Sequence, residues 1–392
     1  MRFFLPDTPR DSGFAPRLAG LYAAIFVMAG IQLPFFPVWL EAKGLDAGTI
    51  GLVLAMPMVV RVFAIPVASH AADRYEALRG AIMVACVLSV AGYLAVALSD
   101  GATAILLAFA LASLAHTPLM PLTETYALRG LSARGRAYGP VRLWGSLAFI
   151  AGTFAAGLAA DLLPGRHLVW LMVAASAIVA VSALTLAPLS TGAPATPTAP
   201  VARKRLLSDP AFLAVAAAAS LIQASHAVYY GFSALEWRAA GLDGTAIAAL
   251  WGLGVIAEIV LFALSGRLPA FLTPGVMLAI GAAGAALRWT AMAFDPPAAA
   301  LPFLQLLHAA SFGATHLGAL VFLTRHAPPG QAATAQGYLA IALGAAMAGA
   351  MGLSGVLYAA FGVQAYGAMA LAAVAGGACA AIAQRTARSA AL

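Results

Sequence analysis

The side chains able to do chemistry in this sequence are few, and most lie inside long apolar runs. Glu124 and Arg142 stand eighteen positions apart in "PLTETYALRGLSARGRAYGPVRLWGS". Glu258 lies in "GVIAEIV", Arg288 in "ALRWTAMAF" and Arg61 in "MVVRVF". The histidines His116, His226, His308 and His316 share such surroundings, and Glu236 lies near the end of a run. A carboxylate accepts hydrogen bonds and can carry a proton. A guanidinium offers a rigid fork of donors suited to a carboxylate or vicinal hydroxyls. An imidazole titrates near neutrality. Together they describe a polar site for a solute and a proton, not a reaction centre. The nucleophile-elbow, zinc-protease and paired-aspartate motifs of a membrane enzyme are absent from the sequence. Cys86 and Cys379 both lie in apolar runs without metal-ligand spacing, so they read as packing residues, and neither a metal nor a cofactor is expected.

What positions these groups is a set of membrane helices. The chain has 392 residues, 63% hydrophobic and 9% charged, against about 25% charged in a soluble domain. Twelve spans can be drawn, at 16–40, 47–72, 78–99, 102–128, 138–161, 167–187, 209–237, 245–266, 272–294, 298–324, 332–360 and 363–384. Each approaches the twenty or so apolar residues that cross a bilayer. The net charge of +7 invites a nucleic-acid reading, but its distribution argues against one. With both termini cytoplasmic, fifteen of the 21 basic residues fall on the inside and only Lys43, Arg166 and Arg238 fall outside. That asymmetry orients a multi-pass protein, whose expected location is a bacterial inner membrane. The N-terminal "MRFFLPDTPRDSGFAPR" has no apolar centre and no small-residue cleavage site, so no cleaved signal is expected there.

The segment "PLSTGAPATPTAPVARKRLLSD" is rich in Pro, Thr and Ala and closes on a basic cluster. It reads as a cytoplasmic linker at 188–208. It separates an N-terminal six-helix bundle, 1–187, from a C-terminal one, 209–392. The halves resemble each other. "WLEAKGLDAGTIGLVLAMPMVVRVF" and "EWRAAGLDGTAIAALWGLGVIAEIV" align at an offset of 197, matching Gly44-Leu45-Asp46 to Gly241-Leu242-Asp243 and placing Arg61 opposite Glu258. A parallel six-plus-six repeat with its site near the bilayer midplane is a transporter architecture.

The stretch "SHAADRYEALR" after the second span resembles a worn form of the loop motif of the major facilitator superfamily, with Ser69 for its first glycine and Asp73 and Arg74 in place. The resemblance implies a gating role for Asp73 and Arg74, with an ordinary charged turn as the alternative, and Arg61 is grouped with them as a gating or structural charge. The Glu124 to Arg142 spacing and its flanking "YG-x-x-R-x-x-G" are similar to the galactoside permeases, in which such a pair binds the sugar. That likeness implies roles for Glu258, for Arg288 and for His308 in "LQLLHAASF". It also marks departures. Ser311 stands for the family's proton-carrying Glu, Phe149 for the tryptophan that stacks on the sugar, and Gln305 for a lysine. The stretches "PFFPVWLEAKGLDAGTIGLVLAMPMVVRVFAIPV", "LWGLGVIAEIVLF" and "LLHAASFGATHLGA" look like the phenylpropionic acid permease group, related to the galactoside and nucleoside proton symporters.

The expectations are therefore definite. The fold class is an all-α membrane protein of twelve transmembrane helices in two pseudo-symmetric six-helix bundles. The substrate-binding set is Glu124, Arg142, Phe149, Gln32, Gln223, Arg288 and His308. Glu258 carries the proton, with His308 as the alternative carrier. A permanent structural pairing is the competing reading for Glu124 with Arg142 and for Glu258, although an interior ion pair is weak evidence of stability. Three intramembrane arginines against two glutamates suit an anionic solute entering with a proton. The expected partners are a small-molecule substrate, protons and the lipid bilayer, with no nucleic acid and a monomeric state. His308 and His316 should lie about 80° apart around an ideal helix. The glycine-rich "GAAMAGAMGLSG" at 344–355 reads as close helix packing.

Overall fold

The computed structural model describes residues 13–189, 206–328 and 331–389. Most of the expected linker, and with it Arg203, Lys204 and Arg205, lies outside those residues, as do Arg2 and Arg10; the side chain of Arg388 is likewise not described. Among the described residues the chain is helical throughout, with no strand. The spanning helices are α1 (Phe14–Ala42), α2 (Ala47–Arg74), α3 (Leu78–Leu98), α4 (Ala102–His116 and Leu119–Ser132), α5 (Tyr138–Leu162), α6 (Val169–Leu184), α7 (Pro210–Ala224 and Ala227–Ala239), α8 (Gly244–Leu264), α9 (Pro274–Ala293), α10 (Leu301–Leu306, then Ala309–Ala314 and Thr315–His326), α11 (Ala332–Phe361) and α12 (Tyr366–Ser389). By length and hydropathy there are 11 spanning stretches, the last running 53 residues from Thr334 to Thr386. That last stretch turns at Gly362, where φ is +55°, so it is two helices and the total is the expected twelve. Within lipid every backbone polar group needs an internal partner, and continuous helices provide it. Large apolar side chains such as Phe63, Val67, Phe303 and Leu371 are exposed along these helices, as lipid-facing surfaces require.

Three helices depart from simple rods. α4 breaks at Thr117-Pro118, where the proline ring cannot extend the preceding turn. α7 breaks at Ser225-His226, where the side chains of both residues bond back to the carbonyls of the preceding turn. α10 carries a π-helical turn over Ala309–Ala314. By contrast α1 runs unbroken through Pro34 and Pro37.

The internal repeat has a physical content. After α1, Gly44 takes φ +81°, its N–H bonds the Glu41 carbonyl at 2.8 Å, and the Leu45 N–H reaches the Leu40 carbonyl at 3.2 Å. After α7, Gly241 takes φ +90°, with bonds to the Arg238 carbonyl at 3.0 Å and from Leu242 to the Trp237 carbonyl at 2.9 Å. Both are helix terminations that need a left-handed residue, which glycine supplies without Cβ strain. The aspartate two residues on then starts the next helix. The Asp46 carboxylate accepts from the Thr49 N–H at 3.0 Å and the Thr49 hydroxyl at 2.7 Å. Asp243 accepts from the Ala246 N–H at 2.6 Å. Gly-Leu-Asp is thus one stop-and-start device used twice.

The Thr49 bonds hold the Asp46 carboxyl below its usual range. A lowered folded-state pKa means that this stabilisation is present above the ordinary aspartate range and fades as pH falls through the lowered value. Asp46→Ala and Asp243→Ala should each cost about 1 kcal/mol, read as a lower thermal-unfolding midpoint in detergent. The Asp46→Ala difference should shrink on strong acidification.

The described chain divides into two compact units, one of residues up to Trp39 with 60–193, the other of residues 40–59 with those from 194 onward. In the first unit, Gly30 of α1 lies on the Phe149 carbonyl of α5, and Gly152 of α5 lies on the Val27 backbone of α1. The Thr153 hydroxyl also bonds the Gly30 carbonyl at 3.0 Å. In the second unit, Leu278, Phe212, Phe322 and Ala380 belong to a core shared by α7, α9, α10 and α12, and Gly284 and Gly318 let α9 and α10 approach closely. The close-packing expectation for 344–355 holds at Gly355, which meets Ala47, Gly48 and Gly51 of α2. It does not hold at Gly349 or Gly352, which have nothing within 4 Å of an added Cβ.

Candidate functional site

In the first unit the end of α4 and the start of α5 bring Glu124 and Arg142 into one neighbourhood, as the short loop between them requires. Their charges interact, but the two side chains do not close a direct ion pair. The Glu124 carboxylate accepts from the Tyr138 hydroxyl at 3.5 Å, loose for such a bond. The Arg142 guanidinium lies over the Phe26 ring at 4.1 Å and the Tyr22 ring at 5.6 Å. Gly145, one turn beyond, makes room: a Cβ there would fall 2.9 Å from both the guanidinium and the Phe26 ring. The cation is therefore supported on aromatic faces from α1. Among the described residues no carboxylate closes an ion pair with it.

The other predicted residues of this unit are placed as follows. Phe149 is half-buried on α5. The Gln32 side-chain oxygen accepts from the Tyr93 hydroxyl at 2.9 Å, which ties α1 to α3. Arg61 is half-buried on α2, and Arg74 is exposed in its last turn. Asp73 pairs with Arg129 at 3.5 Å, with side chains 68% and 60% exposed. A pair so exposed contributes about 0–1 kcal/mol.

In the second unit a polar network runs through α8, α9 and α10. Arg288 is wholly buried between the Tyr229 ring at 4.5 Å and the Trp289 ring at 4.6 Å. It donates to the Gln305 side-chain oxygen, and its Nη1 lies 3.2 Å from His308 Nδ1. His308 Nε2 lies 3.4 Å from the Glu258 carboxylate. Arginine has no acceptor, so His308 Nδ1 must present its lone pair. The proton then sits on Nε2 and points at Glu258. His308 is held as one neutral tautomer, a link between cation and carboxylate.

A second histidine is fixed in the same way. His226 Nδ1 lies 3.2 Å from the Ile222 and Gln223 carbonyls, which only accept, so it carries the proton. Its Nε2 accepts from the Ser311 hydroxyl at 3.1 Å. Trp289 donates to Ser225 at 2.9 Å, closing the break in α7 onto α9. Among the described residues the Gln223 side-chain nitrogen is buried without a hydrogen-bond partner, so a donor stands uncommitted there. The predicted Arg288, His308 and Glu258 thus form one chain of contacts. Gln305 and His226 were missed as members of it. The sequence marked Gln305 only as a missing lysine and His226 only as one histidine among several, because their partners lie 17 and 85 positions away.

The π-turn changes one more placement. His308, Phe312 and His316 stack in a column, with centroids 5.2 Å and 6.1 Å apart and rings within 11° and 8° of parallel. A π-turn rotates less per residue than an α-helix, so positions four apart come into line, and such turns are frequent at functional sites.

The comparisons with known proteins agree with this architecture. The MFS_1-like family model matches residues 16–367. The chain is 33% identical over 346 residues to the probable 3-phenylpropionic acid transporter of Escherichia coli (strain K12), covering 86% of this chain and 89% of that protein. It is 28% identical over 309 residues to the maltose permease of Geobacillus stearothermophilus, with 78% of each chain covered. The solved nucleoside transporter NupG superposes with a TM-score of 0.78 at 17% identity, covering 95% of this chain and 98% of that one. A bacterial homolog of the human lysosomal transporter Spinster gives 0.76, also at 17%, covering 97% and 98%. These proteins are transporters rather than enzymes, and this chain is a multi-pass membrane transporter belonging to the MFS_1-like family of the major facilitator superfamily.

Proposed function

We propose that this transporter takes up a small organic solute, an aromatic or other carboxylate first, together with a proton and by alternating access. In this reading it works as a monomer in a bacterial inner membrane with both termini cytoplasmic. The observation that carries the reading is the state of Arg142. Its guanidinium rests on the Phe26 and Tyr22 rings, and no direct ion pair with Glu124 closes it off. A carboxylate can take its donors as a bidentate pair, and an aromatic tail finds rings of its own kind beside it. Arg288 supports the same charge balance, because its partners, Gln305 and His308, are neutral. Glu258, the carboxylate at the end of that chain, is the proton carrier. Glu124, Phe149, Gln32 and Gln223 complete the solute contacts, and Arg61, Asp73 and Arg74 serve gating. The name of the 33% identical relative points to the same substrate class.

A sugar or nucleoside is the second reading. Glu124 beside the Tyr138 hydroxyl offers acceptors suited to hydroxyl groups, and the relatives include proteins named for maltose and nucleosides. Export remains a matter of gradients rather than of fold. Uptake into proteoliposomes under imposed pH and voltage gradients, over a panel of aromatic acids, sugars and nucleosides, tests the proposal. The expected result is accumulation of an aromatic acid when the outside is acidic. Accumulation of a sugar or nucleoside alone favours the second reading. Flux indifferent to the pH gradient rejects proton coupling.

A further inference from the structure

A cavity of about 230 Å³ opens at the end of α7, where Glu236 and Trp237 meet Asp295, Pro296, Pro297 and Leu301 around the α9–α10 turn. That is room for far more than one water. In the orientation read from the basic residues, this end of α7 faces outward. The lining holds two carboxylates and no lysine, arginine or histidine. Glu236 is 8% exposed and Trp237 is 2% exposed. Glu236 Oε2 and the Trp237 indole N–H are sealed from solvent, and neither has a hydrogen-bond partner among the described residues. The Tyr366 hydroxyl approaches the same carboxylate but completes no hydrogen bond to it. Of the two Glu236 oxygens only Oε2 is sealed, so Oε1 is the one presented to the cavity. Among the described residues no cation, Arg238 included, closes an ion pair with Glu236 or Asp295. Buried carboxylates are normally paired, and buried indole N–H groups normally find an acceptor. Both rules fail on adjacent residues of one cavity. Asp295 adds a second negative charge from an exposed turn, which Pro296 and Pro297 stiffen.

We propose that this cavity is a binding site for a small protonated amine. The ammonium N–H groups donate to Glu236 Oε1 and to the Asp295 carboxylate, and its charge is the cation that both lack. The Trp237 N–H favours an amine with a hydroxyl beside it, which gives the indole an acceptor as the wall settles around the ligand. A metal ion fits less well. A hard cation takes six or more oxygen ligands, and among the described residues no group of three or more His, Cys, Asp or Glu side chains could hold one. An ammonium needs only a few acceptors, each met by its own N–H. The site is separate from the solute and proton sites proposed above and does not rest on either.

Labelled ethanolamine, titrated onto the purified full chain in phosphatidylcholine nanodiscs, tests the proposal, since that lipid carries no primary amine to compete. Mildly alkaline buffer keeps carboxyls ionised and the amine charged. Saturable binding is expected in the wild type. Glu236→Gln and Asp295→Asn should each weaken it about 10-fold or more, the loss of one charged hydrogen bond. Glu258→Gln should leave it unchanged. Asp295 lies on an exposed turn, so Asp295→Asn decides the matter even if Glu236→Gln lowers the thermal-unfolding midpoint. Absence of saturable binding overturns the proposal. So does binding that both acidic variants leave intact, binding that Glu258→Gln abolishes, or displacement of the amine by an equal concentration of sodium chloride.

Discussion

Glu258→Gln is expected to lower uptake driven by a pH gradient on the order of 100-fold or more, the scale at which a positioned proton-transfer group acts. The substitution keeps the size of the side chain and an oxygen to accept from His308 Nε2 at the present 3.4 Å. What it removes is the ability to bind and release a proton. Exchange of labelled for unlabelled solute across the membrane moves no net proton, so that flux should survive. The dissociation between driven uptake and exchange is the diagnostic, because a variant that merely misfolded would lose both. Ser311 sharpens the expectation. Its position holds a hydroxyl bonded to His226 rather than a second carboxylate, which leaves Glu258 as the carboxylate of this network among the described residues. If Glu258→Gln transports with unchanged pH dependence, Glu258 is not the carrier.

Arg142→Lys should raise the KM for the transported solute about 10- to 100-fold, the equivalent of losing a charged hydrogen bond of roughly 1.5–3 kcal/mol. The charge is retained, so simple Coulomb attraction survives. The planar fork and the flat face on Phe26 and Tyr22 do not. A lysine ammonium is also more strongly hydrated and would draw water onto rings that now support the guanidinium. Thermal stability in detergent should change little, since Arg142 closes no ion pair with Glu124. Unchanged affinity in Arg142→Lys would remove the binding site from this part of α5 and refer the Glu124 and Arg142 charges to helix orientation instead.

Several parts of this protein could be read from the chain alone, for local reasons. Hydropathy places twelve helices, because lipid demands unbroken runs of backbone bonding within each span. Gly44-Leu45-Asp46 and Gly241-Leu242-Asp243 mark the same turn twice, because a left-handed cap and an aspartate N-cap act within a few residues of themselves. The eighteen-residue spacing from Glu124 to Arg142 places them together, because two helix ends joined by a short loop cannot be far apart. Tertiary structure decided what those residues touch. The aromatic seat of Arg142 comes from α1, more than a hundred positions earlier in the chain. The acceptors of Arg288 come from α10, and the partner of Ser311 comes from the break in α7. That His308, Phe312 and His316 stack in one column depends on a π-turn that no proline or charge announces. Capping and hydropathy act along the chain, whereas hydrogen-bond partners and tautomers are set by side chains that meet only when the helices pack.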